Sequence, residues 1–457
     1  MPVKRRYRWL CLVIVLLATV LRFTQLGHES LWTDEGYTAI LLRRHSIVEL
    51  INGGALDRAN PPLFYVVTKL VTSLLGMGEF QLRLVSALSG IGTVVVTGYL
   101  AWKMTRRVGI GMYSAIWTAT SWYLVSYSQE ARSYSLLIVL TVLFVACLYE
   151  RRNRFMTGLI GILAIYTHYS FIAVLLACSV WLLVIHWRQW KTLFAAALPI
   201  LITVVGFMYW FGISVYPTLI SSNTNRLWQP NITWSSFSLF INKLLFIPTT
   251  ATVVMTVATL TILGGLVVGS VWLHQRSEAT VRSNLYLLWL IIIAPFVCFI
   301  AQGIWLDRYM LLVLPFIYIL ICWLIWPWPW LRGLLCLAVL ISSIGWYGGY
   351  FSSLQKEDWK GATAAVARID DGTGKIYISK SYNQYAWRYY YQGATNAKFP
   401  TAPTAEDVEK NMTNAPWVVI VYHESTDINN ILIHSAERVF GKGTVQHLSN
   451  IDIYTYH

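Results

Sequence analysis

The sequence predicts a mostly helical, polytopic membrane protein carrying a small α/β domain at its C-terminal end. Three observations predict it. Only 12% of the 457 residues are charged, about half the share of an average soluble domain, while 56% are hydrophobic and mean hydropathy is +0.53. Apolar runs of helix-spanning length recur along the chain. The tail from residue 351 onwards breaks with both trends, holding ten Lys/Arg and eleven Asp/Glu among short strand-like runs. An ordinary cytosolic enzyme and a disordered chain are thereby excluded. The net charge of +14 is dealt out in short clusters between apolar runs. That is the pattern of cytoplasmic loops and not of a phosphate-backbone footprint, so no nucleic-acid partner is expected.

Each element follows from this pattern. Lys4, Arg5, Arg6 and Arg8 precede an apolar run at 10–21. The run is as short as that of a signal peptide, but no small-residue cleavage site follows and Arg22 interrupts it. An uncleaved first helix over about 9–26, with its N-terminus in the cytoplasm, is the reading. Further runs lie at 84–102, 109–127, 133–149, 155–166, 169–185, 193–212, 251–273, 285–303, 309–326 and 331–350. Thr167-His168-Tyr169 breaks the 155–185 stretch into two short helices. The run at 61–75 is the ambiguous one. Counted as a span, it puts the four basic clusters at 103–107, 151–154, 188–191 and 274–282 outside; read as a helix on the outer face, it puts all four inside. The Lys/Arg bias of short loops selects the second reading. About eleven spans result, with the N-terminus inside and three external segments. A transmembrane domain at 1–350, with external loops 27–79 and 213–250, then precedes an extracytoplasmic domain at 351–457. In the latter, 358–369 reads as a helix and 375–379 and 417–422 as strands. The six cysteines all fall in apolar runs without metal-type spacing and read as buried structural thiols.

Charged residues at the outer boundary are the candidates for chemistry. In Trp32-Thr33-Asp34-Glu35-Gly36-Tyr37, Thr33 can cap a helix whose positive end favours ionised Asp34 and Glu35. An acidic first turn on an interfacial helix is the plainer alternative. Glu130 lies in a short loop, Ser128-Gln129-Glu130-Ala131-Arg132, between two strongly apolar helices, where an ionisable group is costly. A local Glu130–Arg132 contact competes with a functional role. His168 is a candidate ligand or hydrogen-bond donor, or a simple helix-end residue. In Asp307-Arg308-Tyr309, the guanidinium is suited to bidentate contact with a phosphate at headgroup depth, whether of a substrate or of bulk lipid. Arg22, Arg58 and Lys69 are weaker candidates of the same kind.

These motifs together resemble the GT-C glycosyltransferases, the group containing protein O-mannosyltransferases and bacterial aminoarabinose transferases. The resemblance is carried by Leu21-Arg22-Phe23, Trp32-Thr33-Asp34-Glu35, Asn60-Pro61-Pro62, Arg83-Leu84-Val85, Ser128 to Tyr134, Thr167-His168-Tyr169, and Asp307-Arg308-Tyr309 followed by Pro315. Glu357-Asp358-Trp359-Lys360 is similar to the start of the external domain in bacterial members. The resemblance implies a GT-C-type bundle with external juxtamembrane helices. It implies Asp34 as catalytic base, Glu35 as its companion and Glu130 at a second acidic position, which is aspartate in several relatives. Donor phosphate would be held by Arg308, with Arg132, Arg58 and Lys69, and the cavity lined by Tyr37, Asn60, Pro61, His168, Tyr169, Asp307 and Tyr309. Whether a divalent metal takes part is left open, with Glu35, Glu130 and His168 as its candidate ligands; no cofactor is otherwise implied.

An outward-facing site lacks cytosolic nucleotide sugars, so the implied donor is a polyprenyl-phosphate-linked sugar, its isoprenoid lying among aromatic side chains of the spans. The implied acceptor is a lipid, polysaccharide or protein hydroxyl, attacked with inversion, in a bacterial-type plasma membrane. Two non-enzymatic alternatives remain. One is a flippase for such carriers, which would favour midplane charges and repeats; the other is a non-catalytic subunit of an envelope-polysaccharide complex.

Overall fold

The computed structural model describes residues 5–52, 60–217, 233–244, 252–302, 306–379, 381–401, 404–422 and 427–457. The chain divides into two compact units, 1–24 with 47–70 and 83–348, and 25–46 with 71–82 and 349–457. Arg58 and Trp305 fall outside the described residues.

The first unit is helical. It contains α1 (Arg5–Phe23) and α3 (Ile47–Ile51). Most of α4 (Leu63–Leu75) and α5 (Glu79–Thr105) follows, then α6 (Val108–Thr120), α7 (Trp122–Ser128) and α8 (Tyr134–Tyr149). Next come α9 (Arg154–Ile165), α10 (Phe171–His186) and α11 (Trp190–Trp210), the last continuing as a π-helical turn, Phe211–Val215. α12 (Trp234–Leu244), α13 (Thr252–Gln275), α14 (Ala279–Gln302), a 3₁₀ segment Asp307–Val313, α15 (Leu314–Leu324) and α16 (Pro329–Ser352) complete the series. Among the described residues six helices are long and apolar enough to cross a membrane: Glu79–Thr105, Trp190–Val215, Thr256–Gln275, Ala279–Gln302, Asp307–Leu324 and Pro329–Ser352. Four shorter apolar helices are α4, α8, α9 and α10.

The break expected at Thr167 to Tyr169 is present between α9 and α10. The run at 109–127, read as one span, is two helices. Ser121 ends α6 and caps α7, accepting from Leu124 N at 3.4 Å, and its hydroxyl meets Tyr318 Oη at 2.8 Å. Arg22 completes the break. Fully buried, it donates to Ala119 O and Thr118 O, each at 3.1 Å, and so satisfies the last carbonyls of α6 as a basic cap. That occupation removes Arg22 from the phosphate candidates. Gln129 does the same for α1, donating to Thr24 O at 2.8 Å. α5 and α6 cross closely because Gly111 faces Gly98, where an added Cβ would come 2.6 Å from Gly98 O. The cysteines are free; Cys178 and Cys322 are buried as expected, but Cys147, Cys298 and Cys336 are half-buried and Cys11 on α1 is exposed.

The second unit holds α2 (Thr33–Arg44), α17 (Trp359–Ala367), α18 (Gln384–Tyr390), α19 (Ala405–Met412) and α20 (Asp427–Phe440) around a sheet. The strands are β1 (Lys375–Ile378), β2 (Val418–Tyr422), β3 (Thr444–Leu448) and β4 (Ile451–Tyr456), in the order β1-β2-β4-β3. β1 and β2 are parallel and the other pairs antiparallel. Alternation along β2 splits the core: Val419 and Val421 pack with Trp359 and Trp387, while Val418 and Ile420 pack with Met412 and Leu432. Asn450, at φ 55°, makes the tight turn of the β3–β4 hairpin.

Candidate active site

Asp34 and Glu35 occupy the first turn of α2, as expected, but the cap differs. Trp32 is the N-cap and Thr33 the first helical residue. Glu35 is fully buried; its Oε2 accepts from Trp32 N at 3.4 Å and from Lys356 Nζ at 3.2 Å. It is thereby held as a helix-start carboxylate with a partly exposed counter-ion. Asp34 is half-buried one residue earlier.

The start of this helix is assembled from far along the chain. Thr33 N donates to Glu357 Oε2 at 3.2 Å and Thr33 Oγ1 to Asn383 Oδ1 at 2.7 Å. Leu31 N donates to Tyr390 Oη at 2.7 Å, and Ser30 Oγ to Asp358 Oδ1 at 3.1 Å. Gly36 lies against the backbone of α18, where a Cβ would overlap Ala386. Tyr37 packs edge-on to Tyr385 at 5.1 Å. Lys356, Asn383 and Tyr390 were not singled out by sequence reasoning. Glu357 was, but only within a motif; its contact with Thr33 spans 324 positions and has no local signal.

In the first unit a second cluster forms. Glu130 is 9% exposed, and its backbone carbonyl accepts from Arg132 N at 2.8 Å, which closes the turn of this loop. Ser86 Oγ fixes the same loop by donating to Arg132 O at 3.0 Å. The Arg132 guanidinium lies 6.0 Å from the Tyr134 ring. Tyr134, His168 and Tyr309 pack together, with ring centroids 5.7 Å apart for Tyr134–His168 and 5.1 Å for His168–Tyr309. His168 sits in the turn between α9 and α10, its Nδ1 2.8 Å from Ser170 Oγ. Burial, then the charges of Arg132 and Arg308, push its imidazolium down to about 3, so the ring is neutral. Asp307 is the first residue of the 3₁₀ segment, its Oδ1 accepting from the adjacent Arg308 N at 2.9 Å. Glu130, Asp307 and Arg308 all lie within electrostatic reach of Tyr127.

The expected residues are therefore brought together in two groups. Glu130, Arg132, His168, Asp307, Arg308 and Tyr309 share one neighbourhood; Asp34, Glu35 and Tyr37 share α2 in the other unit. Tyr169 turns to α11, its Oη accepting from Trp210 Nε1 at 2.9 Å. Asn60 and Pro61 precede α4, whose first residue, Leu63, donates to Tyr166 O at 2.9 Å; Lys69 lies farther along that helix, partly exposed. Among the described residues no three His, Cys, Asp or Glu side chains converge on one point. Glu35 is engaged by Lys356, and His168 faces two guanidinium charges; among the described residues they do not gather with Glu130 into a three-ligand cluster. A separate cavity of about 250 Å³ is wholly apolar and lined by residues including Phe237, Ile241, Leu266, Trp289, Ile292 and Phe296. Branched aliphatics and phenylalanine predominate in its lining.

The fold, a bundle of long apolar helices with a small α/β sheet, is shared with solved structures along almost the whole chain. The particular likeness is to ArnT from Cupriavidus metallidurans. The apo crystal structure matches with a TM-score of 0.66 and 16% identity over 99% of this chain and 98% of that one. The structure bound to undecaprenyl phosphate matches at 0.64 and 17%, over 97% of each. The archaeal oligosaccharyltransferase AglB from Archaeoglobus fulgidus, in complex with an inhibitory peptide and a dolichol-phosphate, matches at 0.55 and 11%, over 99% of this chain and 74% of that one. No family model and no curated protein matches the sequence.

Proposed function

We propose that the protein is a membrane glycosyltransferase that moves a sugar from a polyprenyl-phosphate donor to an acceptor hydroxyl on the extracytoplasmic face, with inversion. One observation carries this reading. Its fold matches, almost end to end, a structure whose bound ligand is undecaprenyl phosphate, the kind of anionic headgroup that the Arg132–Arg308 neighbourhood suits.

Asp34 takes the proton of the acceptor hydroxyl as that oxygen attacks the anomeric carbon. The bond from that carbon to the donor phosphate breaks on the opposite face, and the electron pair leaves with the phosphate. Arg308, with Arg132 beside His168, neutralises the departing charge. A phosphate needs little protonation on leaving, so one base suffices, unlike the carboxyl pair of glycosidases. Glu35, tied to Lys356, positions the helix start and not the substrate. Glu130 sets the electrostatics of the arginine rim, and the apolar cavity at Phe237 and Trp289 accepts part of the isoprenoid. The topology belonging to this reading has about eleven spans, a cytoplasmic N-terminus and an outer face carrying α2 and the tail domain, in a bacterial-type plasma membrane.

The test incubates the purified full chain in proteoliposomes with labelled polyprenyl-phosphate sugar and a mixed envelope-lipid and glycan acceptor pool. Release of polyprenyl phosphate with transfer of label is expected. Translocation of intact donor without cleavage would replace the enzyme by a flippase. Cysteine-accessibility labelling at position 34 from the cytoplasmic side alone would reject the topology and with it the donor class.

A further inference from the structure

Two helix ends in the first unit carry a feature that the transfer reaction does not use. α5 stops at Thr105 and α8 at Tyr149, and beyond each stands an arginine in the left-handed region, Arg106 at φ 57° and Arg151 at φ 51°. Glycine is the unstrained residue at such helix ends, because the conformation crowds a Cβ. The helix dipole favours a nearby cation but does not require it at the strained position itself.

Both arginines line one cavity of about 680 Å³, together with Lys103, His186, Ser283 and Asn284. Glu150 is the carboxylate in its wall, and it is already committed. Lys103 Nζ is 2.7 Å away, Arg152 Nε 3.0 Å, and Tyr99 Oη donates at 2.6 Å. Among the described residues Arg106 and Arg151 make no ion pair with a carboxylate; Arg151 Nη2 instead faces His186 Nε2 at 3.4 Å. Trp181 and Ile185 supply an apolar side to the same cavity, with Trp181 Nε1 anchored on Ser283 O at 3.1 Å. The cavity thus combines uncompensated guanidinium charge, hydroxyl and amide groups, and an apolar wall.

We propose that this cavity binds the phosphate of an anionic glycerophospholipid on the membrane face that carries the basic loops. Guanidinium groups pair bidentately with phosphate, and basic pockets between membrane helices seat anionic headgroups. A water-soluble phosphate shares that chemistry; the Trp181–Ile185 wall favours the lipid, whose glycerol and upper acyl chain would lie against it. The proposal does not depend on the transfer reaction.

The experiment titrates the detergent-solubilised full chain with phosphatidylglycerol, phosphatidylcholine or inorganic phosphate, reading retained lipid by native mass spectrometry and thermal unfolding. Phosphatidylglycerol is expected to stay bound and raise the melting temperature, and phosphatidylcholine is not. The Arg106→Gly/Arg151→Gly double variant should lose phosphatidylglycerol affinity at least about tenfold, with an unchanged or higher melting temperature without lipid, because glycine adopts the left-handed conformation freely. Should that variant fold poorly, Arg106→Asn/Arg151→Asn removes the same charges with the next most tolerant residue. Equal retention of the two lipids, or undiminished phosphatidylglycerol binding in a folded double variant, would overturn the proposal. Binding of inorganic phosphate without phosphatidylglycerol would overturn the lipid assignment.

Discussion

The start of α2 and the Glu130–Arg308 neighbourhood are both clusters of ionisable groups, yet they are held by different physics. The α2 turn is fixed by polar contacts from the tail: an ion pair from Lys356, a carboxylate from Glu357 on Thr33 N, and hydroxyl and amide contacts from Tyr390 and Asn383. The other cluster stands among aromatic rings, with Tyr134, His168 and Tyr309 packed together and Arg132 beside Tyr134. The contrast separates a carboxylate fully enclosed by its partners from one that solvent still reaches. Glu35 is consumed by structure, whereas its neighbour Asp34 remains half-buried on the same turn.

The largest effect that would sharpen this contrast is at Asp34. Asp34→Asn should lower turnover by about 10²–10⁴-fold, the usual worth of a general base, while binding of polyprenyl phosphate persists. Near-normal turnover in proteoliposomes would remove Asp34 as the base. Next is Lys356→Met, which strands the Glu35 carboxylate in a buried site. A loss of about 3–5 kcal/mol is expected in denaturant unfolding, with much of it restored by adding Glu35→Gln. No loss in the single variant would show that the pair is not structural. Arg308→Ala should be milder, weakening donor binding by about 1.5–3 kcal/mol, the worth of a charged hydrogen bond, seen as a raised KM for the donor. An unchanged lipid-phosphate affinity would break the assignment of phosphate recognition to the aromatic cluster.

The smallest effect concerns pH. His168 has a folded pKa depressed to about 3, below its unfolded value of about 6.5. Its contribution to stability is therefore complete above about pH 6.5 and declines as pH falls towards 3, where the unfolded chain takes up the proton first. The ring stays neutral in the folded protein over the physiological range. The kcat/KM profile of His168→Gln should then show the same limbs between pH 5 and 8 as the parent. A limb that vanishes in the variant would mean that the imidazole titrates during catalysis.

Much of this was legible before any coordinates. Apolar runs announced nearly every helix, the Thr167 break separated α9 from α10, and Asp358 announced the start of α17. The break at Ser121 was not legible, since the residues around it are as apolar as a continuous span and its capping partners, Tyr318 and Arg22, are far away in sequence. β3 was missed because it is exposed along almost its whole length and has no apolar face to mark it; β4 was not read as a strand either, although Ile451 and Ile453 alternate into the core. Among site residues, Asp34, Glu130 and Arg308 stood out as charges at the ends of apolar runs. Lys356 and Tyr390 did not, because charged and aromatic residues are ordinary in a soluble-like tail.

What the sequence determined by itself was the solvent of each segment, because hydrophobicity and the placement of lysine and arginine are properties of composition and need no partner. It also marked which ionisable groups were costly enough to require a reason. Only the tertiary structure decided what that reason was. Whether a carboxylate is a reactant or a strut depends on which distant donor reaches it, and for Glu35 that donor lies 321 positions away.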